Sequence, residues 1–184
     1  LPGDDGKEQA QQSPDANGNA WFVNEIRYVQ TANEEIKALD SLNTKEVAIL
    51  RDHNSYGFED SLKYNVDTLA TIKLTEYSLN TLSYDSFSNQ NEFAVFSEIY
   101  YKDGWNAYID GELKPHVSVN YVLRGIEIPA GNHNIEFKFE PKVIQTGSFI
   151  SLISYVLLLL IPIGCSLFKN IDLFSMIKND KNSF

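Results

Sequence analysis

The chain has 184 residues, with 15 Lys+Arg against 25 Asp+Glu and a formal net charge of −10. That length holds one domain of ordinary size plus a small extra element, so neither a multidomain enzyme nor a repeat array fits comfortably. An acidic surface repels phosphate backbones, so nucleic acid is not an expected partner, and the single Cys, Cys165, excludes an internal disulfide framework or a Cys-based zinc cluster.

Residues 1–19 read as an irregular arm that ends in the turn formers Ser13, Pro14, Asp15, Asn17, Gly18 and Asn19. Asp15 to Asn19 opens like a calcium loop, but its sixth position is Ala20 in place of Gly and its twelfth is Ile26 in place of Glu. Turn chemistry is the better reading. Ala20 to Val29 has the apolar and aromatic content of a strand. Thr31 or Asn33 then supplies a helix cap, Glu34 and Glu35 place acids in the first turn, and Ile36, Leu39 and Leu42 recur every three residues. That pattern predicts a short amphipathic helix. Val47 to Leu50 reads as a strand.

Beyond Leu69 the pattern is β throughout. Strands are predicted over 70–74, 77–84, 92–101, 105–109, 117–128 and 134–139, each bounded by Gly, Asn, Asp, Ser or Pro. In the last of them Ile135, Phe137 and Phe139 alternate with Glu136, Lys138 and Glu140, so one face is buried and the other wet. Asp110-Gly111 is a strong hairpin signal, and Pro129-Ala130-Gly131 is read as another before the final strand. The expected fold is therefore mainly β: a β-sandwich-like domain over 20–146 with one short helix near its start.

From Phe149 to Phe168 run twenty residues without a charge, which as a helix cover roughly 30 Å, the thickness of bilayer hydrocarbon. The stretch is read as a transmembrane helix. Residues 1–148 hold 12 Lys+Arg and 23 Asp+Glu, net −11, whereas residues 169–184 hold three Lys and two Asp, net +1. The large acidic domain is accordingly expected outside the membrane and the tail 169–184 in the cytoplasm; the lysines alone, three after the span against Lys138 and Lys142 before it, weigh little. The chain does not begin with Met, its only Met being Met176, and its first twenty residues lack an apolar signal segment. The expectation is that transmembrane helices or a signal peptide precede Leu1. Neither a Leu-Pro-x-Thr-Gly wall-anchor signal before the span nor a lipid-anchor pattern is present. Ser148, Ser151 and Ser154, beside Gly147 and Tyr155, line one helical face that suits packing against another helix; the alternative is that each hydroxyl bonds the carbonyl one turn back. Pro162 is expected to kink the helix.

Chemistry-bearing patterns are few. His53, His116 and His133 lack the paired spacing of zinc sites, so no metal is expected and the three read as lone turn histidines. Asp52, His53 and Ser55 gather acid, imidazole and hydroxyl, but adjacency in sequence does not bring a nucleophile to its base. There is neither a Gly-x-Ser-x-Gly elbow nor a Gly-rich phosphate loop. Trp21, Trp105 and Tyr108 are candidates for stacking sugar rings, against the plainer reading of core or rim packing.

Three segments carry a family resemblance: Phe93 to Gly111 with its Gly104-Trp105 and Asp110-Gly111, Asn120 to Gly125, and Ile128 to Pro141 with its Pro129-Ala130-Gly131-Asn132-His133. Followed at once by a membrane span, they resemble the carboxyl-terminal end of the bacterial membrane protein YfhO family. Gly18 to Val23 and Glu34-Glu35 are similar to Bacteroidetes members. The resemblance covers roughly residues 13–168. It implies a large polytopic protein with many helices before an outward-facing β domain, related to the GT-C class of membrane glycosyltransferases that use polyprenyl-phosphate sugars. The catalytic acid of such proteins is expected upstream of Leu1, so no catalytic residue and no cofactor is carried onto this segment.

What the resemblance does carry over is structural or recognition-related: Gly104, Trp105, Tyr108, Asp110, Gly111, Arg124, Gly131 and His133. For the glycines and Asp110 the physical reading is turn geometry at positive φ. For Arg124 it is a charge partner, expected as Asp110 or Glu127, or an anionic ligand group. The expected partners are the lipid bilayer, upstream helices of the same protein, and a glycan or polyprenyl-linked sugar, at the bacterial plasma membrane. A membrane-anchored carbohydrate-binding or structural module is the alternative.

Overall fold

The computed structural model describes residues 15–51 and 61–180, with side chains described up to residue 164. Residues 1–14 of the arm, the group Asp52, His53, Asn54 and Ser55, the side chains of Cys165 and Met176, and residues 181–184 lie outside the described residues. The chain divides into two units, one ending at Glu140 and one beginning at Pro141.

The first unit is β-rich. Strands β1 (Ala20–Val23), β7 (Glu92–Ile99), β11 (Leu123–Ile128) and β10 (Val117–Val119) form a four-stranded antiparallel sheet in the order β1-β7-β11-β10. Strands β5 (Thr71–Tyr77), β6 (Thr81–Ser88), β12 (Gly131–Phe139), β8 (Trp105–Ile109) and β9 (Glu112–Lys114) form a five-stranded antiparallel sheet in that spatial order. The side chains between these two sheets make one core, in which Ala94, Phe96, Ile126 and Ile128 meet Leu82, Tyr84, Ala107, Ile109, Ile135 and Phe137. The expected sandwich is there.

A third layer covers the other face of the four-stranded sheet. Strands β3 (Val47–Leu50), β2 (Glu25–Tyr28) and β4 (Leu62–Lys63) form a small sheet whose Ile26, Ala48 and Leu50 pack on Phe93, Val95, Val117 and Val119. Because the four-stranded sheet is covered on both faces, β7 is buried at every residue from Glu92 to Phe96 instead of alternating. By contrast β12, with one covered face, alternates as expected.

Helix α1 (Ala32–Leu39) is the predicted short helix, three residues shorter at its end than the apolar spacing to Leu42. Thr31 is the cap, and its hydroxyl accepts from the Glu34 amide while Glu34 reaches back to the Thr31 amide, a reciprocal capping box. The helix links β2 to β3, which pair in parallel, so β2-α1-β3 is a small crossover unit.

Three strand boundaries differ from expectation for identifiable reasons. Ala20–Val29 is two strands, because at Asn24 the chain leaves the four-stranded sheet for the small one, its amide donating to the Glu46 carbonyl at 2.7 Å. The 117–128 run is broken at Asn120 and Tyr121, both at positive φ (49° and 73°). Pro129-Ala130-Gly131 is not a hairpin: β11 pairs with β7 and β12 with β6 and β8, so this turn carries the chain from one sheet to the other. Asp110-Gly111, in contrast, is a two-residue hairpin turn with φ of 52° and 82°, joining Ile109 to its partner Glu112.

The second unit is helix α2 (Lys142–Asp180). Among the described residues, Lys142–Gly164 is the stretch long and apolar enough to cross a membrane, 23 residues that contain an 18-residue window of mean hydropathy 2.1. Its apolar side chains, among them Leu158 and Leu159, are exposed, as suits lipid surroundings. The Ser154 hydroxyl donates to the Ile150 carbonyl at 2.9 Å, the back-bonding alternative for that residue, and Pro162 lies inside the helix.

Candidate functional site

The chemistry of the β unit converges on Arg124. It stands on β11 opposite Phe96, so its side chain enters the core between the two large sheets. Only 1 % of the residue is exposed. Its guanidinium lies 4.4 Å from the Trp105 ring centroid and 5.0 Å from that of Phe137, and Nε donates to the Ile99 carbonyl at 2.9 Å. The delocalised cation is held by ring faces. Nη1 is buried without a hydrogen-bond partner, and Arg124 makes no ion pair among the described residues. Neither expected partner serves it among the described residues: Asp110 is engaged by His133, and Glu127 makes no ion pair with it. Glu98, which opposes the pull of burial on the guanidinium, acts from beyond ion-pair range.

Trp105 opens β8 opposite Phe139 of β12, where it packs at 5.3 Å between ring centroids. Gly104 precedes it for a steric reason and not for its φ: a Cβ there would stand 2.4 Å from Phe139 Cε2 and 2.5 Å from Tyr101 Cδ1. Glycine lets both rings close on the turn. Trp105 lines a cleft of about 400 Å³ together with Tyr100, Lys102, Lys114, Pro115 and His116.

His116, in the short link between β9 and β10, is a wall of this cleft. Its ring meets Tyr100 at 5.1 Å and Phe137 at 5.7 Å, and Nε2 is buried with no hydrogen-bond partner. Burial, assisted by the Arg124 charge, pulls its pKa down to about 4, so the imidazole is neutral near pH 7. Nearby, burial pushes the Tyr84 hydroxyl up to about 12.

The other sequence-derived candidates lie elsewhere. Trp21 alternates with Phe22, which packs in the inter-sheet core, so Trp21 faces the small sheet; its indole donates to the Thr44 carbonyl at 2.7 Å. Tyr108 points to the face of β8 opposite Trp105, and its hydroxyl donates to Glu140 at 2.7 Å beside Asn106 at 2.9 Å. Those bonds hold Glu140 below the usual carboxylate range, and the bond to Glu140 holds Tyr108 above the usual tyrosine range. The three aromatic candidates therefore do not form one platform; Trp105 and Arg124 do come together.

Asp110, Gly131 and His133 form a separate structural latch. His133 Nδ1 meets Asp110 Oδ2 at 2.6 Å, and Nε2 meets the Ala130 carbonyl at 3.2 Å. A carbonyl only accepts, so Nε2 donates; with Nδ1 facing a carboxylate, the doubly protonated imidazolium satisfies both bonds. The bond to Asp110 accordingly raises the His133 pKa, and bonds from His133 and the Asn134 amide lower that of Asp110. Gly131 takes φ of 126° at the sheet-to-sheet turn.

Two groups that sequence reasoning missed hold the scaffold. Buried Glu35 of α1 accepts from the Tyr121 amide at 2.7 Å, with Arg51 at 3.8 Å. Buried Glu92 accepts from the Asp67 amide at 2.7 Å and from Ser88 at 3.0 Å. An acid directly before the apolar run Phe93 to Phe96, as Glu92 is, was the available signal for the second. Among the described residues no group of three or more His, Cys, Asp or Glu stands ready to hold a metal.

Residues 39–151 match the family described as "Bacterial membrane protein YfhO", a span that starts at the end of α1, takes in the Arg124–Trp105 pair and the Asp110–His133 latch, and ends inside α2. No curated protein and no solved structure matches the chain. With three-fifths of its length inside that match and an apolar helix following the β unit, the chain belongs to the YfhO family of bacterial membrane proteins.

Proposed function

We propose that this chain is an extracytoplasmic, non-catalytic β domain and following transmembrane helix of a polytopic, GT-C-type glycosyltransferase-related protein acting on cell-envelope polymers. The observation that supports it is the family match over residues 39–151, which takes in most of the β unit and reaches the first turns of α2. In this reading the β domain shapes the acceptor side of an active site built by other helices of the same protein, with a polyprenyl-phosphate sugar as donor. The 169–184 tail faces the cytoplasm.

The experiment has two arms. Full-length protein in proteoliposomes, given a polyprenyl-phosphate sugar and an envelope polymer, is expected to transfer sugar, whereas a fragment of residues 1–146 is expected to transfer none. Activity in the fragment, or none in the full protein with any such donor, overturns the reading. For sidedness, Ser97→Cys at an exposed strand position is expected to react with a membrane-impermeant maleimide in intact spheroplasts. Labelling only after lysis would put the domain inside.

A further inference from the structure

An asparagine or aspartate side chain can be attacked by the backbone nitrogen of the next residue, and a glycine there gives that nitrogen the most freedom to reach it. The sequence holds one Asn-Gly pair, Asn17-Gly18, and two Asp-Gly pairs, Asp103-Gly104 and Asp110-Gly111. The fold treats the three differently.

The two aspartates are held back. Gly104 is buried, and its amide donates to the Tyr101 carbonyl at 3.2 Å. Asp110 accepts from His133 and from the Asn134 amide, bonds that keep its carboxyl ionised, and a carboxylate resists nucleophiles. Asn17 carries an uncharged amide, a better electrophile. Gly18 beside it is exposed, takes φ of 82°, and has nothing within 4 Å of the place a Cβ would occupy. Its amide donates to no group among the described residues. One bond restrains the pair: Asn17 Nδ2 donates to the Thr44 hydroxyl at 2.9 Å. Thr44 is also the anchor where the chain enters β1, since its carbonyl accepts from the Trp21 indole at 2.7 Å, and just before β1 the Asn19 carbonyl accepts from the Ser97 amide at 2.9 Å.

We propose that Asn17 is a site of spontaneous deamidation, held in check by the Thr44 hydroxyl, and that its product loosens the entry into β1. The Gly18 nitrogen gives up its proton to hydroxide and bonds to Asn17 Cγ; the Cγ–Nδ2 bond breaks, and that nitrogen leaves as ammonia with a proton taken from water. Water then opens the resulting cyclic imide. Cleavage between Cγ and the Gly18 nitrogen gives aspartate, and cleavage at the Asn17 backbone carbonyl gives isoaspartate, whose main chain runs through Cβ and Cγ. Either product lacks the Nδ2 donor, and isoaspartate also lengthens the backbone two residues before Asn19. The inference goes beyond the transferase reading and does not rest on it.

The test holds the full-length protein in detergent at mildly alkaline pH and maps its peptides over time, with aspartate and isoaspartate separated by chromatography and told apart by fragmentation. The peptide bearing Asn17 is expected to convert ahead of those bearing the other described asparagines, with isoaspartate the larger product. Gly18→Ala is expected to slow conversion at least about tenfold, because a Cβ hinders the attacking nitrogen. Thr44→Val keeps the size of the side chain and removes the acceptor, and is expected to speed conversion about fivefold, the worth of one hydrogen bond. In the purified isoaspartate form the Ser97 amide is expected to exchange its hydrogen faster than in fresh protein. Asn17 staying intact, or an unchanged rate in either variant, overturns the proposal, and unchanged Ser97 exchange overturns the loosening of β1.

Discussion

Arg124 keeps its charge in a place where charge is expensive. Cation–π contact with Trp105 and Phe137 returns up to about 2 kcal/mol when desolvated, and the Ile99 carbonyl adds one bond, yet Nη1 remains unanswered. A side chain of similar volume without the charge removes the desolvation cost and keeps the packing. Arg124→Met is therefore expected to leave the unfolding midpoint unchanged or higher, while Arg124→Ala, which opens a cavity under Trp105, is expected to cost about 2–4 kcal/mol in denaturant melts. A large loss in the Met variant would mean that the charge itself stabilises the fold. The sequence marked Arg124 and Trp105 singly and did not join them. They are 19 positions apart on strands of different sheets, and only the sandwich brings a β11 side chain under the first residue of β8.

The elements that were legible are those whose two faces meet different surroundings. β12 alternates and α1 carries its cap and its acids in order, so both were readable. The crossover β2-α1-β3 was missed because a strand of four residues carries too little pattern to declare a parallel partner, and the very short β4 and β9 carry less. The break between β10 and β11 was hidden for another reason: Asn120 and Tyr121 take positive φ with a side chain present, where glycine would have advertised the turn. Remote groups hold that geometry. Asn120 bonds Ile49 through both its amide and its Oδ1, and Glu35 accepts from the Tyr121 amide. Glu35→Ala leaves that amide unanswered in a half-buried setting, and the expected loss is about 1–3 kcal/mol by thermal or denaturant unfolding, with Glu35→Gln recovering most of it because its carbonyl oxygen still accepts. Equal losses in both variants would assign the effect to the Arg51 pair at 3.8 Å.

At the scale of the whole molecule, two histidines set opposite limits on stability. His116 has its pKa lowered in the fold to about 4, so the unfolded chain binds more protons between about pH 6.5 and 4 and stability falls as pH drops through that window, by on the order of 3 kcal/mol. His133 has its pKa raised, so its contribution is complete below about pH 6.5 and is lost as pH rises through the folded value. The unfolding midpoint is expected to be highest near pH 6.5; His116→Phe should flatten the acid limb and His133→Gln the alkaline limb. A His133→Gln profile parallel to that of the unsubstituted protein would refute the imidazolium latch. The three-layer architecture behind these sites left one trace in the sequence, the apolar run Phe93 to Phe96, which marks a strand covered on both faces. The third sheet that covers it is built from segments spread from Glu25 to Lys63, too far apart for local pattern to assemble.

The step at Asn24 ties these layers together. One residue separates β1, a strand of the four-stranded sheet, from β2, the middle strand of the small sheet, and that residue is pinned on both sides, its amide to Glu46 and its carbonyl to the Tyr64 amide. There is no slack chain on which the small sheet could swing away. Peeling β2 from its neighbours pulls directly on β1, and lifting β1 exposes the aromatic run of β7. The outer layer is therefore expected to unfold together with the central sheet and not as an independent foldon, with amide protection in β2 close to that in β7; markedly faster exchange in β2 would refute this.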